Sequence, residues 1–121
     1  MRYANDRRVL VWDIYNEPGN IKSPHVKGGG ANLTEEQTQH LRKMSLDFLK
    51  ATAEWARSCN PSQPITYGVF FPDASPLGKM YNELIYAQSD VISYHGYGNM
   101  LGHVARLKEA RKRNRPVMCT K

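Results

Sequence analysis

Arg8-Val9-Leu10-Val11-Trp12-Asp13-Ile14-Tyr15, followed by Asn16-Glu17-Pro18-Gly19, decides how this chain folds. Val9, Leu10, Val11, Trp12, Ile14 and Tyr15 make a nearly continuous apolar, β-branched and aromatic run. Such a run is the pattern of a strand covered on both faces, as in a parallel sheet, and not the alternation of a half-solvated strand. Residues 16–32 then change character, with Pro18, Gly19, Pro24 and the triple glycine Gly28-Gly29-Gly30. They read as a long loop, and long loops in compact domains are often functional.

Working outward, the same alternation repeats. Thr34-Glu35-Glu36-Gln37 has capping-box form and opens a helix near 34–59, with Leu41, Met44, Phe48, Thr52, Trp55 and Cys59 as its expected buried stripe. Asn60-Pro61 ends it. A strand is expected near 64–71, a helix near 76–88 with Leu77, Met80, Tyr81, Leu84 and Ile85 on its apolar side, and a strand near 90–95. A basic helix near 99–114, burying Leu101, Val104, Ala105 and Leu107 or the Lys108 stem, precedes a last strand near 115–120. Strand and helix in strict alternation predict an α/β fold of about four βα units with parallel strands. Doubly wound sheets and barrels both have that order. The dinucleotide-binding version is weakened because no glycine-rich phosphate fingerprint follows a strand.

Composition narrows the function classes. At 121 residues, 40% hydrophobic and 23% charged, the chain reads as one globular domain. No apolar run is long enough to span a membrane, and 9–12 is too short for a signal-peptide core, so no membrane partner is expected and no compartment is assigned. The net charge of +6 is concentrated in Arg106, Lys108, Arg111, Lys112, Arg113 and Arg115. No aromatic residue interleaves these cations to stack on bases, so they read as the solvated face of an outer helix and no nucleic-acid partner is expected; a basic nucleic-acid-binding α/β module is a third reading, behind the two given below. Cys59 and Cys119 are too few for a disulfide scaffold and read as free thiols. Histidines and carboxylates show no metal-ligand spacing, and no cofactor is implied.

In a (β/α) barrel the chemistry lies at the carboxyl ends of the strands. Those ends carry Asn16 and Glu17, then Phe70 and Phe71, then His95 and Tyr97, and last Thr120 and Lys121. An amide, a carboxylate, an imidazole and a phenol with aromatic walls suit a sugar, with polar groups for hydroxyls and ring faces for its apolar side. The run from Val9 through Trp12, Asp13, Asn16, Glu17 and Pro18 resembles the fourth strand of clan A glycoside hydrolases, especially the family 5 cellulase-like and family 2 groups. Ser93-Tyr94-His95-Gly96-Tyr97 resembles their sixth strand, and Arg115-Pro116-Val117-Met118-Cys119-Thr120 their seventh. The resemblance covers nearly the whole chain and implies a partial (β/α)8 TIM barrel, strands four to seven. It implies a retaining glycosidase acting on β-linked glycans. Glu17 would be the general acid/base, Asn16 the ligand of the sugar 2-hydroxyl, His95 a substrate-binding residue, and Tyr97 the hydrogen-bond donor to the nucleophile. A raised Glu17 pKa is expected, since a protonated form must reach the leaving oxygen.

The chain departs from that pattern where the nucleophile belongs. Lys121 follows Thr120 in place of the family's glutamate. Lysine cannot form the glycosyl-enzyme ester, and its charge would draw the Glu17 pKa down. A complete barrel takes about 250 residues, so the chain reads as part of a longer enzyme. The alternative is a catalytically inactive truncated barrel that binds carbohydrate or is a remnant. Four parallel strands leave two sheet edges and an apolar face exposed, so the chain alone is expected either to be marginally folded or to self-associate through those surfaces.

Overall fold

The computed structural model describes residues 2–20, 33–69 and 76–121, and shows a mixed α/β chain with three helices and short parallel strands. The order is β1 (Trp12–Asn16), α1 (Glu35–Ser58), β2 (Ile65–Gly68), α2 (Pro76–Gln88), β3 (Ile92–Tyr94), α3 (Met100–Arg111) and β4 (Val117–Cys119). β1 pairs with β2 and β3 with β4, both in parallel, as two two-stranded sheets. A parallel bridge from Val69 to Tyr94 links the pairs. The Asp90 N–H donates to the Ile65 carbonyl at 2.7 Å, and the Thr66 hydroxyl to the Val91 carbonyl at 2.6 Å. The four strands therefore lie in chain order, each joined to the next across a helix. The strands are shorter than the sequence predicts, while the helices keep nearly the expected limits. Residues 21–32, with His25 and the triple glycine, lie outside the described residues, as do Phe70, Phe71 and the Leu77 side chain.

The helix ends follow from local chemistry. The Thr34 hydroxyl accepts from the Gln37 N–H at 3.1 Å, and the Gln37 side chain accepts from the Thr34 N–H at 2.9 Å, closing the capping box. Such a cap contributes about 1 kcal/mol. At the other end Asn60 takes a left-handed φ of 46°, and Pro61 cannot continue the helix. Asn99 caps α3, its side-chain oxygen accepting from the Gly102 N–H at 2.9 Å.

The core lies between the helices and the central strands. Leu49, Ile65, Tyr67, Ile85 and Ile92 are almost wholly buried, joined by Leu46, Ala53, Tyr81, Tyr86, Tyr94 and Ala110. Each fully buried aliphatic chain contributes about 1.5–3 kcal/mol. This corrects the expected face of α1: of the predicted stripe only Thr52 is buried, while Leu41, Met44, Phe48, Trp55 and Cys59 are exposed. The helix carries two apolar stripes, and the one with the smaller residues, Thr38, Thr52 and Ala53, turns inward with Leu46 and Leu49. Phe48 instead leans edge-on against Tyr15 and Trp55, with centroids 5.5 and 6.1 Å apart. In α2, Tyr81, Ile85 and Tyr86 face inward and Met80 outward. In α3, Leu101, Val104 and Ala105 are exposed, and Leu107 and Ala110 meet the core. β1 is only half covered, because among the described residues it has a strand neighbour on one side alone.

The basic segment has internal roles. Arg113 pairs with Glu83 at 2.9 Å and stacks over Tyr86 at 4.3 Å, and Lys112 pairs with Glu109 at 2.6 Å. Arg115 donates to the Tyr86 and Ser89 carbonyls, and Arg106 to the Tyr97 carbonyl.

Candidate active site

Polar side chains gather at the carboxyl ends of the strands. β1 reaches there through a bulge: Asp13 lies opposite Thr66, yet Asn16 lies opposite Gly68, so β1 carries one residue more than β2 over this step. An extra residue inverts the alternation, which brings Asp13 and Asn16 to one face although they are three apart. The Asp13 carboxylate accepts from the Gly68 N–H at 3.2 Å. The Asn16 side-chain oxygen accepts from the Lys121 amine, just beyond β4.

Glu17 leaves the strand with φ 48°, a left-handed conformation uncommon for a residue with a side chain. The backbone is held there from both sides. The Glu17 N–H donates to the Gly68 carbonyl at 2.9 Å, and the Glu17 carbonyl accepts from the Asn20 N–H at 3.1 Å. Both carboxylate oxygens are engaged: one accepts from the Asn20 amide at 2.7 Å, and the other bonds His95 Nδ1. The His95 side chain is 3% exposed and that of Glu17 12%. His95 packs over Gly68, where a Cβ would meet Nε2 at 2.8 Å, so only glycine admits the imidazole. Among the described residues Nε2 has no hydrogen-bond partner.

The electrostatics invert one expectation. Burial draws the Glu17 pKa up. The hydrogen bonds from Asn20 and His95, with the positive charges of His95 and Lys121, outweigh it, and the net shift is down. Glu17 is thus held as a carboxylate. Asp13 goes the other way: burial raises its pKa against the Gly68 N–H and the charges of His95 and Lys121.

Of the residues picked from the sequence, Asn16, Glu17 and His95 come together. His95 meets Glu17 directly, whereas a contact to substrate was expected. Tyr97 is exposed and sits edge-on to the His95 ring, with centroids 5.8 Å apart. The sequence reading missed Asn20, Gly68 and Asp13. The Asn-Glu-Pro-Gly-Asn turn was a usable signal for Asn20, since Asn side chains often bond within turns. A cavity of about 410 Å³ opens between α2 and α3 and reaches the site at His95, with Tyr86, Ile92, Tyr94 and Ala110 as part of its wall. Among the described residues no three His, Cys, Asp or Glu side chains form a metal-binding group, and no helix is long and apolar enough to cross a membrane. Comparison with protein-family models, with curated proteins and with solved structures finds no match to this chain.

Proposed function

We propose that this chain is part of the catalytic domain of a retaining glycoside hydrolase, four βα units of a (β/α)8 barrel, with Glu17 as general acid/base. One observation carries the reading: Glu17 at the end of β1 and His95 at the end of β3 form a buried pair, with Asn16 beside it. Aligned strand ends are where barrel enzymes hold their chemistry. In the second half of a retaining reaction the acid/base must be a carboxylate that takes a proton from water, and Glu17 is held in that form. In the first half it must carry a proton. A carboxylate in place of the Lys121 ammonium would raise its pKa toward that state. Asn16 and Tyr97, both exposed at this end, are the groups for sugar hydroxyls and ring faces.

The covalent step needs a second carboxylate roughly 5–5.5 Å away, and the residue following Thr120 is lysine. The Lys121 amine bonds Asn16. Lysine at that position favours a second reading, carbohydrate binding without turnover by this chain. The nucleic-acid reading has less support, since Arg106, Lys112, Arg113 and Arg115 bond within the chain.

The test is calorimetric titration of the chain with a panel of β-linked oligosaccharides, alongside an aryl β-glycoside assay. Binding weakened by Asn16→Ala, without turnover, is the expected result. No binding across the panel removes the carbohydrate reading. Turnover lost in Glu17→Gln keeps the glycosidase and removes the need for a carboxylate at position 121.

A further inference from the structure

Tyr94, His103 and Cys119 form a cluster with no part in the site above. Tyr94 and Cys119 are partners in register on β3 and β4, and His103 is on α3. The Tyr94 hydroxyl lies 3.0 Å from His103 Nε2, and the two rings meet edge-on with centroids 5.4 Å apart. Gly96 shows how close the other two groups come: a Cβ there would meet His103 Nδ1 at 2.6 Å and Cys119 Sγ at 3.0 Å. The imidazole and the thiol therefore border the same small space, the one a side chain at Gly96 would fill. Burial raises the Tyr94 pKa, and the charge of Cys119 and a hydrogen bond to it add to this, so the phenol stays a proton donor beside the sulfur. Cys119 is exposed and bonds the Lys121 carbonyl at 3.1 Å.

The chain supplies its own control. Cys59 is also exposed, but it is the C-cap of α1, at the negative end of the helix dipole. Exposure is common to both cysteines, and the imidazole–phenol setting belongs to Cys119.

We propose that Cys119 is a thiol–disulfide exchange site for small disulfides of the oxidised glutathione class, with His103 as the proton acceptor. His103 Nε2–H donates to the Tyr94 oxygen, which leaves Nδ1 free to take the thiol proton. The Tyr94 O–H donates to the resulting thiolate. Sγ attacks one sulfur of the disulfide, a protein–S–S–R bond forms, and the R–S–S–R bond breaks. The departing thiolate takes the proton from His103, so protons and electrons balance without a further reagent. Exchange also removes the thiol donor from the Lys121 carbonyl. The inference is independent of the glycosidase reading.

The test is incubation of the reduced chain with oxidised glutathione at neutral pH, with adducts at each cysteine followed by peptide mass spectrometry. Cys119 is expected to exchange at least about tenfold faster than Cys59. His103→Gln, with its circular dichroism unchanged, brings the two rates together. Concentrated urea does the same in the unsubstituted chain, which keeps the test decisive if the variant fails to fold. Equal rates in the native chain, or an advantage of Cys119 that survives His103→Gln or urea, overturn the proposal.

Discussion

Glu17 and His95 stand 78 residues apart in sequence and share one hydrogen bond, carboxylate to Nδ1, at the carboxyl ends of β1 and β3. The pair joins the first strand to the third across the shared neighbour β2, whose Gly68 touches both. Its consequences are electrostatic. With the folded carboxyl below its ordinary 4.5, the folded state binds fewer protons than the unfolded chain as the pH falls through that region.

Glu17 therefore adds stability that is fully present above about pH 4.5 and is lost as the pH drops through the lowered value. Glu17→Gln removes charge-assisted hydrogen bonds in a mostly buried place and should cost about 2 kcal/mol at neutral pH. Melting curves of the two proteins from pH 7 to pH 3 are expected to converge at the acid end. A gap that stays constant with pH would show that the carboxylate charge contributes nothing.

Gly68→Ala tests the same pair from β2. The new Cβ would meet Nε2 of a buried imidazole at 2.8 Å and Cε1 at 3.1 Å, and neither ring atom can yield without moving His95 away from Glu17. The expected result is a loss of about 1–3 kcal/mol, the usual range for overpacking. The Glu17 carboxyl should also titrate at higher pH, read by carbon-13 NMR. Unchanged titration with unchanged stability would mean that His95 is not held where the pair requires it.

Much of this arrangement was legible in the sequence, for identifiable reasons. The order of elements follows from the β-branched runs, the Thr34–Gln37 box and the Asn60-Pro61 stop, all of them local signals. Asn16, Glu17 and His95 were found because strand ends in a parallel α/β chain converge. The direct His95–Glu17 contact was not legible: it depends on the bulge in β1 and on the missing side chain at Gly68, which are set by pairing across strands. The inward face of α1 failed for a related reason. Periodicity finds an apolar stripe, but it does not choose between two stripes when the sheet accepts the one with smaller residues.

A third prediction concerns the joint between α1 and the strands. Asp90 accepts both guanidinium N–H groups of Arg57, at 2.8 and 2.9 Å, and the backbone N–H of Ile65 at 2.8 Å. The Arg57 hydrogen bond is the main cause of its lowered pKa, which burial opposes. The contribution is present above the ordinary 3.8 and is lost below it. Both side chains are more than a third exposed, so solvent screening limits the cost of Asp90→Ala to about 1 kcal/mol. Urea unfolding checks this. A loss of several kcal/mol would mean that the Ile65 contact, not the ion pair, anchors β2.

The last prediction comes from the stripe that the sheet leaves outside. Leu41, Met44, Phe48 and Trp55 are exposed on α1, with Phe48 and Trp55 in edge contact, and Leu10 is 75% exposed just before β1. Side chains of this size in one patch favour association once their combined area exceeds a few hundred Å². β1, which among the described residues has a strand neighbour on one side alone, adds a route for pairing. The chain is therefore expected to self-associate, with light scattering at low micromolar concentration giving a mass above the monomer. Phe48→Glu combined with Trp55→Glu should return it to the monomer with its helical circular dichroism intact, because neither side chain belongs to the buried core. A compact, cooperatively melting monomer from the unsubstituted chain would refute the expectation. Association that persists in the double variant would move the contact from α1 to the strand edges.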